Sequence, residues 1–433
     1  MSRTYVVTGG QPLHGTVAVS GAKNAVTKMM VASLLGPEPV RLKNVPRIGE
    51  VDMTLEVVRA LGTQVTWDGA SAIHLASPHL ASARVPETFS GKNRVPILLV
   101  GPLLHRLGHA EIPVLGGDGL GMRPIDFHID GYRAMGAQVE QKGNLVTFRA
   151  EKLRGASITL PYPSVMATEN LLLAAVLAEG TTVIKNVAVE PEIVDLLDFL
   201  QKMGAIIFHE PGRVFVVEGV KWLTGAEHTV LPDRLEAASF ACAAVATKGS
   251  VFVQGAIQRD MQTFLNVLKK VGGQFEVRDD GIRFSHEQEL KATTVETGVH
   301  PGFMTDWQPP FVILLTQAKG TSVVHETVYE QRFGYVDELQ GMGADIDLFS
   351  KCLGAHECRF KERDCKHSAI IKGPTPLRAI DMTVPDIRAG FAYVIAALVA
   401  TGTSRIAGAE RLDRGYEHLL GNLTELGADI REE

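Results

Sequence analysis

An α/β fold built from six copies of one unit, three to a lobe, is predicted by three features of this 433-residue chain. Glycines recur at a nearly constant interval, apolar runs have the spacing of buried helices, and short alternating segments are joined by turn residues. The first set of glycines, Gly36, Gly108, Gly180, Gly249, Gly320 and Gly402, closes apolar runs and opens strand-like ones at intervals of 72, 72, 69, 71 and 82 residues. A second set, Gly62, Gly136, Gly204, Gly272, Gly343 and Gly427, follows each of the first by 23 to 28 residues and ends an amphipathic stretch. Self-similarity at a fixed period is the signature of a repeated structural unit.

Each element of the unit has its own signal. Asn170 to Ala178 is apolar almost all round, so it reads as a helix covered on every side. Ile193, Leu196, Leu197, Leu200 and Met203 recur at helical spacing and are followed by Gly204, a residue suited to left-handed helix-ending geometry. Lys142-Gly143-Asn144 and Asp279-Asp280-Gly281 separate alternating segments and predict hairpins. The unit therefore reads as buried helix, strand, loop, amphipathic helix, strand, turn, strand. A unit of that size is too large for a simple solenoid turn, which favours three units around a threefold axis, twice over. The long last interval places an insertion in the charged stretch Ser350 to His367, expected to be an ornamented hairpin.

Composition excludes several classes. Hydrophobic residues at 45% and charged residues at 21% are ordinary globular values, and a net charge of −6 offers no general basic field for nucleic acid. Apolar stretches such as Ala389 to Ala400 fall well short of the roughly 18 residues a membrane span needs. Met1 to Leu13 lacks a basic start followed by an apolar core, so a cytoplasmic location is expected. Four cysteines, three of them at Cys352, Cys358 and Cys365, do not form a secreted disulfide framework.

Charge gathers instead just before the buried helices, at Ser20-Gly-Ala-Lys-Asn24, Ser90-Gly-Lys-Asn-Arg94, Pro163-Ser-Val-Met166, Pro232-Asp-Arg234, Thr305-Asp306 and Pro385-Asp-Ile-Arg388. Helix N-termini carry uncapped N–H groups and the positive end of the dipole, and a neighbouring Lys or Arg sharpens such a place for an anion. The loops before the amphipathic helices hold Glu190-Pro-Glu192, Glu330-Gln-Arg332, Asp413-Arg-Gly-Tyr-Glu417 and the glycine-rich Gly116-Gly-Asp-Gly-Leu-Gly-Met-Arg-Pro124. The last suits a lid with Asp118 near its tip and Arg123 at its base; it is no P-loop, because no Gly-Lys-Ser/Thr follows.

Together the Ser-Gly-Ala-Lys-Asn start, the Gly-Gly-x-x-x-Gly-x-Arg-Pro loop, Leu231-Pro-Asp-Arg234, Pro301 to Asp306 and Asp413-Arg-Gly-Tyr416 resemble the enolpyruvyl transferases, and among them those that act on UDP-N-acetylglucosamine. The resemblance covers almost the whole chain. It implies an inside-out α/β barrel of two lobes, 22–231 and 1–21 plus 232–433, that closes on substrate. It also implies transfer of the enolpyruvyl group of phosphoenolpyruvate to the sugar 3-hydroxyl with release of phosphate, a step of peptidoglycan precursor synthesis. Lys23 and Asn24 match donor and sugar contacts, and Arg123 and Arg414 match arginines that clamp phosphate and carboxylate. Arg94, Pro124, Ile125, Asp126, Phe127, Ser164, Asp306 and Val328 match nucleotide-sugar positions, with Asp306 also the base near the 3-hydroxyl. Arg332 and Arg388 match further cleft arginines.

The loop-tip position, commonly Cys in this family, is Asp118. Asp118 is expected to donate the proton to C3 of phosphoenolpyruvate, which requires its pKa to rise from about 3.9 on closure. Fosfomycin, which alkylates the cysteine thiolate, is expected to be ineffective against a carboxylate. Neither cofactor nor metal is called for by acid-base addition and elimination; Cys352, His356, Cys358, Cys365 and His367 fit no common zinc spacing. The rival readings are a shikimate-3-phosphate enolpyruvyl transferase, whose Gly-Asp-Lys-Ser motif is absent, and a silent UDP-sugar-binding paralogue.

Overall fold

The structure, a computed structural model, describes residues 3–113, 115–116, 124–355 and 358–433. These residues form two compact units, a first within 21–231 and a second from 3–20 together with 232–433. No helix among them is long and apolar enough to cross a membrane.

In the first unit a helix α1 (Lys23–Ala32) leads to the strand Val40–Lys43, then to α2 (Gly49–Ala60) and to the hairpin strands Gln64–Asp68 and Ala72–Ala76. The same order returns with α3 (Val100–Leu107) and α4 (Asp126–Ala134), and again with α5 (Val165–Ala175) and α6 (Pro191–Lys202). The second unit repeats it with α7 (Arg234–Ala246) and α8 (Gln262–Val271), α9 (Gln308–Thr316) and α10 (Val336–Gly341), and α11 (Ile387–Val399) and α12 (Leu419–Glu425). The chain is thus α/β, with the helix, strand and hairpin order read from the sequence.

The odd-numbered helices form the cores. Every residue of α7 and of α9 is buried. Fully burying one Leu, Ile or Phe contributes roughly 1.5–3 kcal/mol, so these helices are held by packing, and a change of even one methylene within them is felt. The even-numbered helices bury one face; in α8 that face is Phe264, Leu265, Leu268 and Val271. Gly62, Gly136, Gly204, Gly272, Gly343 and Gly427, which end or follow them, all take positive φ, from 91° to 106°. The first set of glycines is less uniform. Gly249 serves close approach instead, since a Cβ there would lie 2.0 Å from the Leu13 carbonyl oxygen.

Sheets are completed by strands from elsewhere in the chain. Glu227–Thr229 runs parallel to Val40–Lys43, and Thr294–Glu296 parallel to Gly320–His325. His14–Ala18 pairs in parallel with Ser250–Gln254, while Thr4–Thr8 lies antiparallel between Thr403–Ala407 and Asp429–Glu432. The start of the chain therefore belongs to sheets of the second unit. Ser350 to His367 joins two antiparallel strands, Asp345–Phe349 and Ser368–Gly373.

Trp307, Pro309 and Pro310 cause no irregularity at α9. Both prolines sit in its first turn, where missing N–H donors have no intrahelical role. Trp307 is buried against Phe264 and Phe303, with the Arg234 guanidinium 5.4 Å from its ring.

One core residue makes stability depend on pH. Glu169 is buried in α5, neither of its oxygens is hydrogen-bonded, and Lys28 of α1 approaches to 3.9 Å. Burial pushes its carboxyl from the ordinary 4.5 up to about 8, against the pull of Lys28 and with help from Glu192 and Glu190. The folded state thus keeps a proton that the unfolded chain loses. Its contribution is most favourable below about pH 4.5 and is lost as pH rises through about 8. Glu169→Gln, a mimic of the protonated acid, is expected to match the wild type at about pH 4, below the unfolded carboxyl's pKa. At pH 8.5 it should be more stable by several kcal/mol, about 1.4 kcal/mol for each pH unit by which burial, net of the pull of Lys28, raises the carboxyl in the folded chain. Thermal unfolding at the two pH values checks this; an equal effect at both would contradict it.

Candidate functional site

In the first unit Lys23, Asn24, Arg94 and Ser164 lie at the starts of buried helices, and Pro124 to Phe127 at the start of the amphipathic α4. Lys23 and Asn24 open α1, whose first turn has no acidic residue and no side-chain cap. Its leading N–H groups and dipole therefore act in the same sense as the Lys23 ammonium, toward an anion. Ser164 caps α5, its hydroxyl accepting from the Ala167 N–H at 3.4 Å.

The Ser90–Arg94 segment ties down the residues on either side of 117–123. The Gly116 N–H donates to the Asn93 carbonyl at 3.1 Å, and Arg94 Nη2 reaches the Pro124 carbonyl at 3.5 Å. Gly116 is obligatory here, because a Cβ would stand 1.7 Å from the Gly91 carbonyl oxygen. Asp126 begins α4 and is exposed with Pro124, whereas Ile125 and Phe127 pack partly against the apolar core. Asp118 and Arg123 lie outside the described residues.

Sequence reasoning missed a buried polar chain beneath Arg94. The Tyr132 hydroxyl donates to Asn170 Oδ1 at 2.9 Å, and Asn170 Nδ2 faces His128 Nδ1 at 2.9 Å. That arrangement makes Nδ1 the acceptor and puts the ring proton on Nε2. Burial, and then the charge of Arg94, push the His128 pKa down to about 3, so the imidazole is neutral at pH 7.

The second unit holds a tighter cluster. Asp306 sits in the single turn Thr305–Trp307 that leads into α9, and its carboxylate oxygen Oδ1 is 3.3 Å from Arg332 Nη2 and 3.8 Å from Arg388 Nε. Arg388, in the first turn of α11, is buried; its Nη2 lies 3.9 Å from Asp233, and its guanidinium stands 5.0 Å from the Tyr416 ring. Asp233 caps α7 by accepting from the Leu235 and Glu236 N–H groups, and Asp386 caps α11 in the same way. Three helix starts are thereby linked through charge. Arg414 ends the turn Ala409–Arg414, and Gly415 after it is set by sterics, since a Cβ would come within 2.5 Å of Ile387.

Val328 joins this cluster through Glu326, which the sequence reading did not single out. The buried Glu326 carboxylate accepts from the Val328 N–H at 2.7 Å, the Tyr329 N–H at 3.1 Å and the Thr305 hydroxyl at 2.9 Å. One side chain so fixes both the turn that carries Asp306 and the loop that carries Val328. Arg332 Nε adds a bond to the Thr305 carbonyl at 3.2 Å. No spacing rule marks Glu326: it merely follows a strand, and its partners are 21 residues upstream and its own immediate neighbours. Chemically the cluster is a carboxylate between two guanidiniums, held rigidly at the entrance to a buried helix. Such a carboxylate is aimed by its neighbours, and the arginines are forks suited to anions.

Comparison with known proteins follows the same lines. The family model for EPSP synthase (3-phosphoshikimate 1-carboxyvinyltransferase) matches residues 7–423. The UDP-N-acetylglucosamine 1-carboxyvinyltransferase of Protochlamydia amoebophila is 51% identical, with 98% of this chain and 93% of the relative covered. The protein of that name from Chlamydia muridarum is 49% identical, over 99% of this chain and 98% of the relative. Among solved structures, the enolpyruvyl transferase NikO from Streptomyces tendae superposes with a TM-score of 0.87 at 23% identity, over 100% of this chain and 99% of that one. The EPSP synthase of Acinetobacter baumannii superposes at 0.78 with 18% identity, over the full length of both chains; both likenesses concern the fold. A match that spans nearly the whole chain, on a fold of six repeats with charged helix starts, leaves one assignment: the chain belongs to the EPSP synthase family of enolpyruvyl transferases, alongside the UDP-N-acetylglucosamine 1-carboxyvinyltransferases.

Proposed function

We propose that this protein transfers the enolpyruvyl group of phosphoenolpyruvate to the 3-hydroxyl of UDP-N-acetylglucosamine, releasing inorganic phosphate. The observation that carries this reading is the 51% identity, across nearly the entire chain, to a protein named for that activity. The geometry of the second unit supports it. Asp306 takes the proton of the sugar hydroxyl, whose oxygen adds to C2 of phosphoenolpyruvate while a proton is delivered to C3. Loss of a C3 proton then restores the double bond as the C–O bond to phosphate breaks.

In this reading Lys23, Arg123 and Arg414 hold the phosphate and carboxylate of the donor, and Asn24, Arg94, Ser164, Val328 and the Pro124 to Phe127 segment hold the nucleotide sugar. Arg332 and Arg388 hold Asp306 in place. Asp118 supplies the C3 proton, a role that rests on its place in the motif. Fixed positive charge and positioning supply the rate enhancement, as is usual where charge develops on a transferred group.

The test is phosphate release with phosphoenolpyruvate and each acceptor, followed by product mass. Release with UDP-N-acetylglucosamine, with the mass of the enolpyruvyl ether, is expected, and fosfomycin should not abolish it. Release only with shikimate 3-phosphate would move the chain to the other acceptor, and release with neither would make it a binding protein. Covalent loss of activity at Asp118 on fosfomycin treatment would overturn the reading of that residue.

A further inference from the structure

Hairpin 350–367, expected from its spacing to be a solvated ornament, carries a cluster of two buried histidines and two half-buried cysteines. Among the described residues, one group of four side chains has metal-ligand chemistry and metal-ligand geometry: His325, Cys352, Cys358 and His367, whose ligand atoms all lie within 4.8 Å of one another. Three of these residues belong to the hairpin and its return strand. The fourth, His325, comes from the end of the neighbouring strand Gly320–His325, brought alongside because His325 pairs with Ser368 and Phe349 pairs with the same residue from the other side.

We infer that Cys352, Cys358, His367 and His325 form a closed tetrahedral zinc site that pins this hairpin to the sheet. Two thiolates about 2.3 Å from one tetrahedral zinc stand about 3.8 Å apart, and a thiolate and an imidazole nitrogen bound to it stand about 3.5 Å apart. Here Cys352 Sγ is 3.7 Å from Cys358 Sγ and 3.4 Å from His367 Nε2. Both cysteines are free thiols, only partly exposed. Two thiolates balance the charge of one divalent ion, so the filled site is neutral and suits its burial. Softness and number of ligands favour zinc: two sulfurs and two imidazoles in tetrahedral array, with no position left for water or substrate.

The surroundings are those of metal ligands rather than of packed core histidines. His325 Nε2 is buried without a hydrogen-bond partner, an unsatisfied polar atom that a metal ion would satisfy. Its Nδ1 lies 3.6 Å from Glu296 Oε2, which leaves Nε2 to the cluster, and Glu296 is itself held by the Ala355 N–H at 2.8 Å. His367 Nδ1 meets the Cys365 carbonyl at 2.9 Å, which directs its Nε2 lone pair toward Cys352. Carboxylate and carbonyl partners on the far nitrogen are what orient metal-bound imidazoles. Cys358 Sγ accepts from the Phe360 N–H at 3.4 Å, and a side chain at Gly354 would strike His325 Nδ1 at 2.0 Å. Cys365 stays outside the set, its sulfur 4.0 Å from the nitrogen of His367 that faces away.

Pinning the hairpin has a consequence for the loop next to it. Arg359 donates to the Val328 carbonyl, and Arg363 pairs with Glu330 at 2.6 Å. His325 directly precedes Glu326, whose carboxylate holds Val328 and Thr305. The ion would therefore brace residues 326–330 from both sides, as a structural ion and not a reactant.

The experiment is metal analysis of the full chain purified under reducing conditions, with X-ray absorption at the zinc edge. About one zinc per chain in a shell of two sulfurs near 2.3 Å and two nitrogens near 2.0 Å is expected. Cys352→Ser and Cys358→Ser should each lose most of the metal, Cys365→Ser should keep it, and Glu296→Gln should weaken zinc binding about 10- to 100-fold. Should the serine variants fail to fold, the wild-type absorption shell decides alone. Folded wild type without zinc, an all-oxygen or Cys365-containing shell, or a Cys352–Cys358 disulfide in its place would each overturn the proposal. These readouts do not depend on which acceptor the enzyme uses.

Discussion

Asp306→Asn is expected to lower kcat by about 10²- to 10⁴-fold, the usual worth of a positioned general base, while the chain remains folded. Asn keeps the size of the side chain and can still accept from Arg332, which sits 3.3 Å from Oδ1 in the native protein. What it loses is the ability to take a proton from the sugar hydroxyl. The measurement is steady-state phosphate release alongside thermal unfolding. A variant with near wild-type kcat would remove Asp306 from the chemistry, and loss of activity accompanied by general unfolding would make it a structural residue.

Arg388→Met should reduce both stability and activity. The guanidinium is buried and is 3.8 Å from Asp306, 3.9 Å from Asp233 and 5.0 Å from the Tyr416 ring. Removing one partner of a buried ion pair costs about 3–5 kcal/mol. Asp233 would keep its two capping bonds but lose the Arg388 guanidinium, so α7 and α11 should loosen together. Arg388→Lys separates charge from shape: it restores part of the stability but not the planar fork that faces two partners. Denaturant titration of the wild type and both variants checks this; a change under about 1 kcal/mol in the Met variant would show that the cluster is not what joins these helix starts.

The repeat was legible because its punctuation is physical. Six glycines at the ends of the outer helices all take the left-handed backbone that their spacing suggested, and the all-round apolar runs became the buried helices. The charged helix starts were legible for a similar reason, since Asp233 and Asp386 are side-chain caps and Lys23 and Arg388 stand within the first turn.

What escaped the sequence depends on register and burial. His325 looks like the last residue of an ordinary strand until its pairing with Ser368 sets it beside His367. The spacing of the hairpin cysteines and histidines fitted no zinc pattern, and one member of the cluster lies 27 residues before the first of those cysteines while Cys365 is not part of it. Glu326 and the Tyr132–Asn170–His128 chain carry no local signature either; they matter because their polar atoms are buried and must find partners in three dimensions.

The proposed chemistry requires the acceptor hydroxyl to sit against the carboxylate of Asp306. A crystal structure with UDP-N-acetylglucosamine bound measures it: the sugar 3-hydroxyl oxygen should lie about 2.6–3.2 Å from an Asp306 oxygen, with Arg332 and Arg388 still on that carboxylate. A sugar nucleotide whose 3-hydroxyl points away from Asp306, toward solvent or another residue, would contradict it.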